Sequence, residues 1–172
     1  MITTPRRRAA AFTLIEILVV VAIVALLATI AIPQLIRSRM LANETKVIGQ
    51  LRELANALMM YRVTTNAYPD QWQADLYTNA DPHFGPEMFN VDMQAAEFIQ
   101  QGYRYRYRDP AGQPEPIVTY SIAARPVVLN LTGSRTIWVN DTNEIYHCTG
   151  DSAALTAPAD AARIGQAPVA CP

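Results

Sequence analysis

One apolar run constrains this chain more than any other feature. Between Ala9 and Ile36 the only charged residue is Glu16. Residues 12–32 number 21, and as a helix they would reach about 31 Å. A bilayer's hydrocarbon core is about 30 Å thick, so the run has the length of one membrane-spanning helix. No second run of that length follows, which excludes a polytopic membrane protein. Charged residues are 17% of the chain, below the roughly 25% usual for soluble domains, which excludes a simple cytosolic globule. The formal net charge is −1, so no global field marks a nucleic-acid binder.

A cleaved secretory signal and a plain membrane anchor are the competing readings of the run. Thr29-Ile30-Ala31 has the small-x-small form of a signal cleavage site. Against it, Glu16 interrupts the apolar core and the helical pattern continues beyond it. Arg6, Arg7 and Arg8 on one side nearly balance Arg37, Arg39 and Lys46 on the other, so positive charge does not settle orientation. An unpaired carboxylate in hydrocarbon costs about 2.5–3.5 kcal/mol. Glu16 therefore either snorkels to the interface or receives a cation. Pro33 removes a backbone donor; it kinks the helix or ends it at the membrane surface.

A basic leader, then Ala11-Phe12-Thr13-Leu14-Ile15-Glu16, then a long apolar helix with Pro33, resembles the class III signal of type IV pilins and pseudopilins. The resemblance is close over residues 6–65 and architectural beyond. It implies that a prepilin peptidase cuts between Ala11 and Phe12 and methylates the new amine of Phe12. It implies that Glu16 pairs with that amine on a neighbouring subunit, and that the Pro33 region loosens in the filament. The family's usual residue before the cut is Gly; here it is Ala11.

After Arg39 the pattern turns amphipathic. Val47, Leu51, Leu54, Leu58 and Tyr61 recur at helical spacing, and Thr64-Thr65-Asn66 should end the helix. Such a helix, started at Phe12, would be about 80 Å long if unbroken. Residues 66–92 read as an irregular connector, and Asp92 as the cap of a short helix over residues 93–101. Tyr103 to Arg108 alternates strictly, placing Tyr and Arg on opposite faces of a strand. Residues 117–124 form a second candidate strand, with Val118, Tyr120 and Ile122 on one face and Pro126 at its end. Residues 127–131 are a short strand or loop. Residues 135–140 and 144–148 read as a hairpin.

The expected fold is α+β: a long N-terminal helix packed on an antiparallel meander of three to four strands, the type IV pilin fold. The organisation expected is a leader (1–11), a membrane and filament-core helix (12–36), an amphipathic half (37–65) and a head (66–172). Cys148 and Cys171 are the only cysteines. In an oxidising compartment they would pair, closing the Ala/Pro-rich tail onto the last strand. Two separate thiols are the other reading. A disulfide-closed C-terminal loop also resembles many type IV pilins.

Arg104, Arg106 and Arg108 between tyrosines fit either a half-buried strand or, less well, a DNA surface. His83 and His147 do not supply a zinc ligand set, and residues 141–144 lack the twelve-residue calcium-loop pattern. No metal, cofactor or catalytic constellation is expected, and the chain does not read as an enzyme. Three Asn-x-Thr triplets, at Asn43, Asn130 and Asn140, leave glycosylation open.

The expected function is that of a structural subunit of a type IV pilus-like filament. Its partners would be membrane lipid before assembly, the prepilin peptidase, the inner-membrane assembly machinery and copies of itself. It would sit in a bacterial inner membrane first, and in a surface filament or periplasmic pseudopilus later. A type II secretion pseudopilin or minor pilin is the alternative, and a competence pilin binding DNA a third.

Overall fold

The computed structural model describes residues 12–108 and 116–172. Helix α1 (Leu14–Thr65) is 52 residues long and runs through Pro33 without ending there. The chain divides into two compact units, one as far as Arg37 and one from Ser38.

In the first unit α1 is apolar all round, and none of its 18-residue core is buried. It is long and apolar enough to cross a membrane.

In the second unit α1 becomes amphipathic, as its spacing predicts. Val47, Leu51, Leu54 and Leu58 are fully buried, and Tyr61 packs beside them. The helix stops where Asn66 takes a left-handed conformation, φ 62°, with its N–H on the Arg62 carbonyl at 2.8 Å. Asn tolerates that conformation better than most residues. The Thr64 and Thr65 hydroxyls both donate to the Tyr61 carbonyl at 2.8 Å.

The sheet is larger than the expected meander. Seven strands form it among the described residues: β1 (Phe98–Gln100), β2 (Tyr103–Arg108), β3 (Ser121–Pro126), β4 (Arg135–Asn140), β5 (Ile145–Thr149), β6 (Ala162–Arg163) and β7 (Val169–Ala170). β1 to β6 neighbour one another in chain order, all antiparallel. β7 runs parallel to β5 and pairs with Cys148 and Thr149. The antiparallel α+β architecture holds; the extra strands are the short ones that flank its centre.

Three local expectations are corrected. No helix forms over residues 93–101. Asp92 does act as a cap, accepting from the N–H groups of Gln94 and Ala95 at 3.0 Å, but only one turn follows. Gln101 and Gly102, at φ 52° and 75°, then make a two-residue hairpin turn that commits residues 98–100 to β1. Second, β3 starts later than expected, at Ser121, so Val118 and Tyr120 precede it; Val118 is half exposed while Tyr120 and Ile122 are buried. Third, residues 66–92 are a packed layer, with a π-helical turn (Ala74–Thr78) and a 3-10 turn (Glu87–Phe89). Tyr68, Trp72, Leu76, Tyr77 and Phe89 from this layer are all buried. Trp72 Nε1 donates to the Phe89 carbonyl at 2.9 Å, and Gln94 accepts from the Trp72 N–H at 2.8 Å.

Both faces of the sheet are covered. On one, Tyr103, Tyr105 and Tyr107 turn inward to α1, each hydroxyl donating to an acceptor: the Arg135 carbonyl, Gln50 Oε1 and the Pro69 carbonyl. On the other, Ala123, Trp138 and Cys148 form a second cluster under Ala154, Leu155 and Ala157 of the tail. Trp138 Nε1 donates to the Ala154 carbonyl at 2.9 Å and Ser121 Oγ to the Leu155 carbonyl at 2.8 Å. The tail is therefore a cover for an indole, not a loose extension.

The disulfide joins Cys148 to Cys171 across 23 positions and fastens the end of that cover. In the chain-entropy model such a loop contributes about 3 kcal/mol. Cys148→Ser with Cys171→Ser should accordingly lower stability by about that amount. Chemical denaturation of the oxidised and doubly substituted full chains in the same detergent measures it; equal midpoints would refute it.

Candidate assembly segment and head surface

Phe12 and Glu16 stand at the start of α1, and Ala11 lies outside the described residues. Thr13 is the residue before the helix, and its Oγ1 accepts from the Glu16 N–H at 3.3 Å. Thr13-x-x-Glu16 is thus the first half of a capping box. That spacing is present in the sequence, where Glu16 serves at once as the third helical residue and as the charge in an apolar run. Phe12 is 76% exposed.

From Leu14 to Leu35 every Leu, Ile and Val counted among the exposed large apolar residues lies on this segment's surface, on all sides of the helix. That arrangement needs either lipid or other apolar helices around it. Pro33 cannot donate to the carbonyl four residues back. The Thr29 hydroxyl, one turn back, donates to the Leu26 carbonyl at 2.7 Å.

The Tyr/Arg alternation places Arg104, Arg106 and Arg108 on the face of β2 opposite the core, each partly buried. Arg104 and Arg106 do not project freely. Arg104 Nη1 stands 3.8 Å from Glu97 Oε2, and Arg106 Nη2 donates to the Gln94 carbonyl at 3.4 Å. Arg125, on β3, joins them; cross-strand register brought it in, and one sequence cannot supply that register.

A buried ionic cluster was not legible either. Glu44 on α1 is 4% exposed. Its Oε1 accepts from the Ser134 N–H and hydroxyl at 2.8 and 2.7 Å, and its Oε2 faces Arg135 Nε at 3.2 Å. Arg135 Nη1 in turn approaches His147 Nδ1 at 3.3 Å. Glu44 lies outside the Val47-to-Tyr61 stripe, and it is the ion that ties α1 to the loop before β4. The close approach of that loop needs Gly133, where an added Cβ would fall 2.0 Å from Tyr103 Oη.

Burial, then the neighbouring Arg135 cation, holds the His147 pKa below its ordinary value; Glu44 opposes this from α1. The unfolded chain therefore takes up this proton before the native one does. Stability from this group is complete above the ordinary His pKa of about 6.5 and falls as pH is lowered through it. A denaturation midpoint measured from pH 7.5 to 5 should drop less for His147→Gln than for the native sequence. Parallel curves would contradict this.

Among the described residues no group of three or more His, Cys, Asp or Glu could hold a metal ion.

Residues 6–32 match the family model described as the prokaryotic N-terminal methylation motif. The chain is similar to the type II secretion system core protein G of Aeromonas hydrophila, 33% identical over 111 residues, covering 63% of this chain and 72% of that protein. Its similarity to the core protein G of Pseudomonas aeruginosa is 33% over 123 residues, covering 69% and 86%. It is also similar to the type IV wide pilus major component PilA4 of Thermus thermophilus, 44% identical over 62 residues, covering 36% and 47%. No solved structure matches it significantly.

Proposed function

Since this chain belongs to the class III prepilin family of type IV pilins and pseudopilins, and is a structural subunit of a pilus-like filament, we propose how its residues serve that role. A prepilin peptidase cuts between Ala11 and Phe12 and methylates the Phe12 amine. Methylation retains the amine's charge. Glu16 pairs with that amine on the adjacent subunit and sets register. The apolar segment, residues 12–36, then leaves lipid and packs with its copies in the filament core. Residues 37–65 carry the head, and the Pro33 region is where the helix loosens as subunits pack.

One observation carries this reading: an apolar surface exposed on every side of α1 between Leu14 and Leu35, broken by a single carboxylate, Glu16, at the helix start. Burial of apolar area is worth about 25 cal/mol per Å² against water, but lipid is already apolar. Association from the bilayer therefore rests on packing and on polar pairs, which gives Glu16 its importance.

A secretion pseudopilus is the second reading, favoured by one finding. The relatives matched over most of their length are core G proteins of type II secretion systems, whereas the likeness to the pilus component covers 36% of this chain. Mass spectrometry of proteins sheared from the surface of the native cells tests both. An abundant chain beginning at N-methylated Phe12 establishes a surface pilus. The same processed chain confined to membranes establishes a pseudopilus. An uncut chain, or one starting near Ile32, overturns the reading.

A further inference from the structure

Three guanidinium groups converge on the face of the sheet away from its tyrosine core. β2 and β3 pair so that Arg104 lies directly across from Arg125, with Arg106 two residues along the same face. Like charges directly opposite one another destabilise a sheet. One carboxylate enters the cluster: Glu97 Oε1 meets Arg125 Nη2 at 2.5 Å, and its Oε2 stands 3.8 Å from Arg104. The more exposed Asp151 reaches Arg125 only at 4.0 Å. Arg106 has no ion-pair partner among the described residues. Arg104 Nη2 makes a long bond, 3.4 Å, to the Val127 carbonyl, and its buried Nε has no hydrogen-bond partner.

These groups line a cleft of about 190 Å³ between the sheet and tail residues 152–155. Its wall is fixed, because the Ala154 and Leu155 carbonyls are held by Trp138 and Ser121. Ala123 also lines it, and so small a side chain at that position leaves the space open. Arginine forks match planar and tetrahedral oxyanions and make short, charge-assisted bonds to them.

We propose that this cleft binds one small oxyanion, a carboxylate or phosphate group, held by Arg104 and Arg106 within a frame made by Arg125 and Glu97. The cleft admits a phosphate ion or a short dicarboxylate, not a run of nucleotides. The site stands on the second unit alone and does not depend on the filament reading.

The test is calorimetric titration of the full chain in neutral detergent, at constant ionic strength, with inorganic phosphate and with glutarate. Saturable binding of one or both is expected. Arg106→Gln, which removes only one long hydrogen bond, should weaken it at least tenfold. Ala123→Leu, which fills the cleft without changing charge, should do the same. Arg163→Gln, at an exposed ion pair elsewhere, should leave it unchanged. Repeating the titration on assembled filaments separates two sources of the anion, and both uphold the site. Binding retained there identifies a free anion; binding lost there identifies a carboxylate of the neighbouring subunit. The proposal is overturned if neither anion saturates, or if Arg106→Gln binds as the native chain does.

Discussion

Glu16→Ala is expected to remove filaments while leaving the membrane-bound subunit at its normal level. The helix start does not need the carboxylate, because its contact with Thr13 runs through the Glu16 backbone N–H. On the proposed pairing the loss falls on the neighbour, whose charged Phe12 amine would be buried without a partner. Breaking a buried pair in this way costs about 3–5 kcal/mol, which is more than a hundredfold in subunit affinity. Immunoblots of sheared and membrane fractions measure both quantities. Glu16→Gln, which keeps an acceptor but no charge, should fall between. Native filament yield from Glu16→Ala would show that the apolar helices alone set the register, and would remove the pairing from the proposal.

The second large effect is on folding. Glu44→Ala would leave the Ser134 N–H and hydroxyl and the Arg135 cation without the acceptor they share. An unsatisfied buried donor costs about 1–3 kcal/mol. The Arg135 side chain is 30% exposed, so water offsets part of its loss. The expected destabilisation is about 3 kcal/mol. Glu44→Gln keeps an acceptor for Ser134 and should cost about half of that. Denaturant titration of the full chain in detergent, followed by Trp72 and Trp138 emission, reads it. An unchanged midpoint for Glu44→Ala would mean that the cluster is too well hydrated to matter.

What could be read from the sequence depended on the range of the interaction. The apolar run, the Val47-Leu51-Leu54-Leu58 stripe and the Tyr/Arg alternation repeat within a few residues, and each occupies the place its period implies. The Asn140-to-Ile145 hairpin was legible for the same reason. Asp92 was misread because its capping geometry serves a single turn as well as a helix, and the choice is made by Gln101 and Gly102 downstream. The buried connector was missed because its Pro and Gly content signals turns, while its aromatics pack on strands far along the chain. Trp72, for example, lies 4.9 Å from Tyr107. Arg125 and Glu44 owe their roles to partners brought in by register and by loop approach, which residue spacing does not encode.

The sheet closes on one side with a strand of three residues and on the other with two strands of two residues each. A long bare strand border offers its unpaired N–H and C=O groups to any similar chain nearby. In a polymer the heads are held at very high local concentration, where such borders would zip together out of register. Borders this short offer neighbouring heads little backbone to pair with, which keeps an ordered fibre from becoming an aggregate.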